Sequence, residues 1–140
     1  MPSIYIVEDD TDILAIESYA LKGAGFEAQG FESAAGFNAV MKEKLPDLIL
    51  LDIAMPGMDG LQTLTRIRQH PEWKNIHVIF LTAAADKTTI VRAAQLKVKD
   101  YVKKPFTPDE LISRVEKHIA PDIDDPEIQN IFKQLDSLGL

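Results

Sequence analysis

LLDIAMPGMDG occupies positions 50–60. It continues an apolar run that starts at Leu48 and Ile49, and Asp52 closes that run just ahead of Met55-Pro56-Gly57. A short apolar run bounded by a turn signal reads as a strand buried on both faces. An ionised carboxylate ending such a strand is costly unless a positive charge or a hydrogen-bond donor meets it. Asp52 is therefore either a turn former or a chemical group, and its neighbours in the fold must decide which.

Similar strands recur on both sides. Ile4-Tyr5-Ile6-Val7 is apolar and β-branched and ends in Glu8-Asp9-Asp10. Phe26 to Phe31 is a weaker strand, Ile76 to Thr82 a strong one, and Tyr101-Val102-Lys103 a short one that runs into Lys104-Pro105-Phe106. Helical patterns lie between them. Asp10 or Thr11 caps the first, with Ile13, Leu14, Ile16, Ala20 and Leu21 on its inner face and Gly23 and Gly25 at its end. Ser33 caps a second that runs to about Lys44, with Pro46 marking its end. Gly60 to His70 forms a third, with Leu61, Leu64 and Ile67 inside, and Asp86 to Leu96 a fourth. Thr107 caps a fifth that runs to Ile119, with Pro108 at its first position. Strand and helix alternating in this way predict a parallel sheet with helices on both faces. The third and fourth strands, nearly all apolar, suit its centre.

The chain has 140 residues, enough for one domain with a real core. Hydrophobic residues make up 46% and charged residues 26%, as in ordinary globular proteins. A net charge of −7 argues against binding nucleic acid through a basic face. There is no cysteine, so disulfides, thiol nucleophiles and Cys-based metal sites are excluded. The first residues carry no basic, apolar leader, and no run approaches the roughly 18 apolar residues of a membrane span. The expectation is a cytoplasmic protein that does not engage membranes. Residues 1–120 form the predicted domain, and residues 121–140 an acidic linker followed by an amphipathic helix with Ile128, Ile131, Phe132, Leu135 and Leu138. That helix either packs back on the domain or frays, or it serves a partner, a dimer or an output domain.

In open parallel sheets, sites form at the carboxyl ends of the strands. The first strand delivers Glu8, Asp9 and Asp10 there, the third Asp52, the fourth Thr82 and the fifth Lys104. Each has an ordinary reading alone: a helix cap, a turn former, a strand former, a solvated lysine. Four strands placing acid, acid, hydroxyl and amine at one edge make a constellation.

These residues also carry a resemblance. Val7-Glu8-Asp9-Asp10, the stretch from Leu51 to Gly60, Phe80-Leu81-Thr82-Ala83, and the stretch from Asp100 to Phe106 resemble, in order, the motifs of the receiver domain of two-component response regulators. The resemblance covers roughly residues 3–119. It implies a flavodoxin-like, doubly wound five-stranded sheet of order 2-1-3-4-5, for which a chemotaxis regulator is a standard example. It implies that Asp52 accepts a phosphoryl group from a phosphohistidine on a histidine kinase or phosphotransfer protein. Mg²⁺ would bind Asp9 and Asp52 directly, Glu8 through water, and the backbone carbonyl of Ala54. Lys104 and Thr82 would bind phosphoryl oxygens, and the Lys104-Pro105 bond would be cis. Thr82 and Tyr101 would then reshape the surface of the fourth helix, fifth strand and fifth helix. A downstream protein or output domain, or a second copy in a phosphorylation-driven homodimer, would read that surface. Such a chain is a signalling phosphoacceptor, not an enzyme acting on a separate substrate.

Two departures stand out. Glu8 replaces the usual Asp, and Lys97 stands where relatives have Gly before the fifth strand, so that turn is expected to differ. Rival readings fit less well. A haloacid dehalogenase-type phosphatase needs a second Asp where Ala54 stands. A flavodoxin needs a phosphate loop where Glu8-Asp9-Asp10 would repel phosphate. An inert scaffold leaves the four-strand constellation without a use.

Overall fold

In the computed structural model, residues 1–53, 60–83, 87–119, 134 and 137–139 are described. Five strands form one parallel sheet of order β2-β1-β3-β4-β5. They are β1 (Ser3–Val7), β2 (Glu27–Phe31), β3 (Leu48–Asp52), β4 (His77–Thr82) and β5 (Asp100–Lys103). The helices are α1 (Thr11–Gly23), α2 (Ala34–Met41), α3 (Gly60–Gln69), α4 (Lys87–Gln95) and α5 (Pro108–Glu116).

Side-chain alternation builds a core on each face of the sheet. Ile4, Ile6, Leu48 and Leu50 point to the side covered by Leu21 of α1 and Leu111 of α5. Tyr5, Val7, Ile49 and Leu51 point to the side covered by Phe37 of α2 and Leu64 of α3. Each such side chain contributes about 1.5–3 kcal/mol by leaving water. Every residue of β3 is buried, Asp52 included, as expected for a central strand. The Tyr5 hydroxyl, carried into the core by its ring, donates to the Lys44 carbonyl at 2.7 Å.

The caps follow the local sequence. The Asp10 carboxylate accepts from the N–H groups of Asp12 and Ile13 and so starts α1. Ser33 and Thr107 cap α2 and α5, with Pro108 in the first turn of α5. Between α4 and β5, Lys97 keeps the left-handed conformation at φ 59° that glycine would adopt without cost. A lysine therefore carries a backbone conformation that favours glycine. The Arg68 guanidinium helps hold it, donating to Leu96 O (2.7 Å), Lys97 O (3.2 Å), Ile76 O (2.8 Å) and Lys74 O (3.2 Å).

One expectation for α1 is corrected. Ile16 is 56% exposed, whereas Glu17 is buried. At about 100° per residue, the row 13-17-21 faces the core and Ile16 falls on the flank. Ala54, residues 120–133 and most of the predicted C-terminal helix lie outside the described residues. Among the described residues, no helix is long and apolar enough to cross a membrane.

Candidate functional site

The carboxyl ends of β1, β3, β4 and β5 meet at one edge. The ladder sets their alignment: Val7 is level with Leu51, Asp52 with Leu81, and Thr82 with Lys103. Bonds just beyond the strands extend it. Glu8 N–H donates to Phe31 O, Ile53 N–H to Leu81 O and Lys104 N–H to Thr82 O, at 2.9–3.1 Å. The next side chain of each strand is thus held by backbone as rigidly as the sheet itself.

The acidic triplet divides its tasks. Asp10 caps α1. Asp9 is exposed, and Glu8 is fully buried. Glu8, Asp9 and Asp52 each bring a carboxylate oxygen to within 4.8 Å of the others. The Lys104 ammonium, 96 residues along the chain from Glu8, donates to Glu8 Oε1 at 2.5 Å and to Asp52 Oδ2 at 2.8 Å. Glu8 Oε2 remains buried with no hydrogen-bond partner.

The electrostatics are those of too many carboxylates for one ammonium. Burial, reinforced by the neighbouring Asp52, pushes the Glu8 carboxyl up to about 8 despite Lys104. Burial lowers the Lys104 amine, but its bonds to Asp52 and Glu8 outweigh that and raise it above its ordinary value. A second positive charge would relieve the excess. A hard divalent cation fits here: three convergent carboxylates could supply oxygen ligands, and Glu8 Oε2 is left without a protein partner.

Thr82 is buried at the end of β4. Tyr101 lies level with Phe80, its ring stacked on that of Phe80 at 5.8 Å, and is 43% exposed. The Lys104–Pro105 peptide is cis. Asp52, Glu8, Asp9 and Lys104 are therefore brought together, and Thr82 ends the neighbouring strand.

The sequence reading passed over Glu17. This side chain lines a cavity of about 420 Å³ together with Lys104, Phe106 and Leu111. A signal was present: Glu17 lies four residues after Ile13 and four before Leu21, in the middle of an apolar row.

Residues 4–116 match the family model described as response regulator receiver domain. The phosphate regulon transcriptional regulatory protein PhoB of Rhizobium meliloti is 36% identical over 115 residues, covering 82% of this chain and 51% of that protein. The DNA-binding transcriptional regulator NtrC of Escherichia coli is 41% identical over 118 residues, covering 84% of this chain and 24% of that protein. The chain thus spans about half and about a quarter of these two curated relatives. The crystal structure of a putative response regulator from Chloroflexus aurantiacus superposes with a TM-score of 0.76 at 33% identity, covering 84% of this chain and 97% of that one.

Proposed function

The chain belongs to the response regulator receiver family, and from that premise we propose that Asp52 is its phosphoryl acceptor. A receiver is a signalling module whose partner is a histidine kinase. The observation that carries the proposal is the placement of Asp52: buried at the end of a central strand, clustered with Glu8 and Asp9, and bonded to the Lys104 ammonium.

The reaction follows from the groups present. An oxygen of Asp52 attacks the phosphorus of a phosphohistidine on a kinase or phosphotransfer protein. The O–P bond forms as the P–N bond breaks, and the imidazole nitrogen keeps the electron pair and takes a proton. Glu8, Asp9 and Asp52 would hold Mg²⁺, which supplies positive charge to the phosphoryl oxygens when bound. Lys104 donates its ammonium to a phosphoryl oxygen. Thr82 offers a hydroxyl to another. Their backbones are tied to each other by the Lys104 N–H to Thr82 O bond.

The signal leaves through β4 and β5. Drawing the Thr82 hydroxyl toward a phosphoryl group vacates space beside β5. Tyr101 leaves its stack on Phe80 to fill it, and the α4–β5–α5 surface changes. A downstream protein, an output domain or a second copy of the chain reads that surface. The net charge of −7 disfavours direct DNA contact by these residues. We place the domain in the cytoplasm with its kinase.

Intact mass after incubation with Mg²⁺ and acetyl phosphate tests this. The parent chain gains one phosphoryl group, Asp52→Asn gains none, and omission of Mg²⁺ abolishes the gain. Labelling of Asp52→Asn equal to the parent would overturn the assignment.

A further inference from the structure

Glu17 sits on the core face of α1, 2% exposed, and neither of its carboxylate oxygens has a hydrogen-bond partner. An unpartnered buried carboxylate is among the more expensive groups a core can hold. Burial pushes the Glu17 carboxyl up to about 7, with the Lys104 charge opposing the shift and the Asp52 charge adding to it. Glu17 is thus electrostatically linked to two members of the strand-end site.

Geometry supplies the rest. Side chains on a helix lean toward its N-terminus. The N-terminus of α1, capped by Asp10, lies at the strand edge that holds Lys104, and this is the direction in which α1 side chains lean. Glu17 and Lys104 line the same cavity of about 420 Å³, whose other walls include Ile13, Phe106 and Leu111. The cavity is large enough for a lysine side chain to change position, and it offers the ammonium no other charged partner among the described lining residues. Meanwhile the present partners of the ammonium, Glu8 Oε1 and Asp52 Oδ2, belong to the carboxylate cluster suited to a divalent cation. A cation bound there claims the same carboxylates and repels the ammonium.

We propose that Glu17 is a positioning residue for Lys104, receiving its ammonium across this cavity when a divalent cation occupies the Glu8–Asp9–Asp52 cluster. This rests on the reading of that cluster as the metal site. The lysine then has two docking points, the cluster without metal and Glu17 with it. It returns to the cluster when a phosphoryl group adds negative charge there.

Calorimetric Mg²⁺ titration of the parent, Glu17→Gln, Lys104→Met and the double variant tests the linkage. Glu17→Gln should weaken Mg²⁺ binding about five- to tenfold in the parent background and less than about twofold with Lys104→Met, because no ammonium then needs shelter. Glu17→Asp should recover part of the loss. An equal loss in both backgrounds, or none, overturns the proposal. A second readout needs no substitution. A nuclear Overhauser contact between the Lys104 Hε and Glu17 Hγ protons should appear on Mg²⁺ saturation, and its absence in the saturated protein equally overturns the proposal. Failure of the parent chain to bind Mg²⁺ would instead overturn the metal reading itself, and this inference with it.

Discussion

Single residues fix how closely the chain can turn around Asp52. Gly60, the first residue of α3, lies against the backbone of Ile53: a Cβ on it would come within 2.4 Å of Ile53 Cα and 2.9 Å of Ile53 O. No flexible side chain can yield there, so the backbone next to the acceptor would have to shift. Gly60→Ala should therefore lower stability by about 1–3 kcal/mol, the range of an overpacked core. Urea unfolding would register this as a lower midpoint with an unchanged slope, and slower labelling by acetyl phosphate should accompany it. An unchanged midpoint would show that this contact is looser than its geometry implies. The glycine was visible in the sequence as the start of a helix, but its contact with Ile53 was not, because that depends on how the helix returns to the strand.

At the scale of elements, Arg68 joins parts that the sequence shows only as neighbours in order. From α3 it reaches the carbonyls of Lys74 and Ile76 before β4, and those of Leu96 and Lys97 after α4. Burial lowers the basicity of its guanidinium, although the planar group keeps its charge. Arg68→Ala strips charge-assisted bonds from four carbonyls, two of them on a turn that already holds Lys97 at positive φ. The expected loss is about 2–4 kcal/mol. Arg68→Lys should restore less than half, since an ammonium cannot span the fork. Chemical denaturation measures the loss, and amide exchange at Val98 and Lys99 should quicken first. Equal stability of the alanine variant would mean that water replaces the guanidinium without cost. In a linear reading Arg68 is one more basic residue near a helix end, where a helix-dipole role is the natural assignment.

At the scale of the whole molecule, buried carboxyls set how stability responds to pH. Glu17 shifts from an ordinary 4.5 to about 7 in the folded state. Between those values the folded chain keeps a proton that the unfolded chain has lost, so stability falls as pH rises through this window. The full effect by pH 8 is about 3 kcal/mol, at 1.36 kcal/mol per unit. In metal-free buffer, Glu17→Gln should accordingly lose about 2–3 kcal/mol less than the parent between pH 5 and pH 8. Parallel pH profiles of the two urea midpoints would sink the idea. The sequence by itself determined the alternation of strands and helices, the central place of Leu48 to Asp52, and the gathering of Glu8, Asp9, Asp52, Thr82 and Lys104 at one edge. Those features follow from local periodicity and from the rule that parallel strands end on one side. Tertiary structure alone decided that Glu8 is fully buried and that Arg68 clasps two connections. The first depends on how the strand ends are covered, the second on bonds between distant stretches of chain. Short-range pattern carries no information about either.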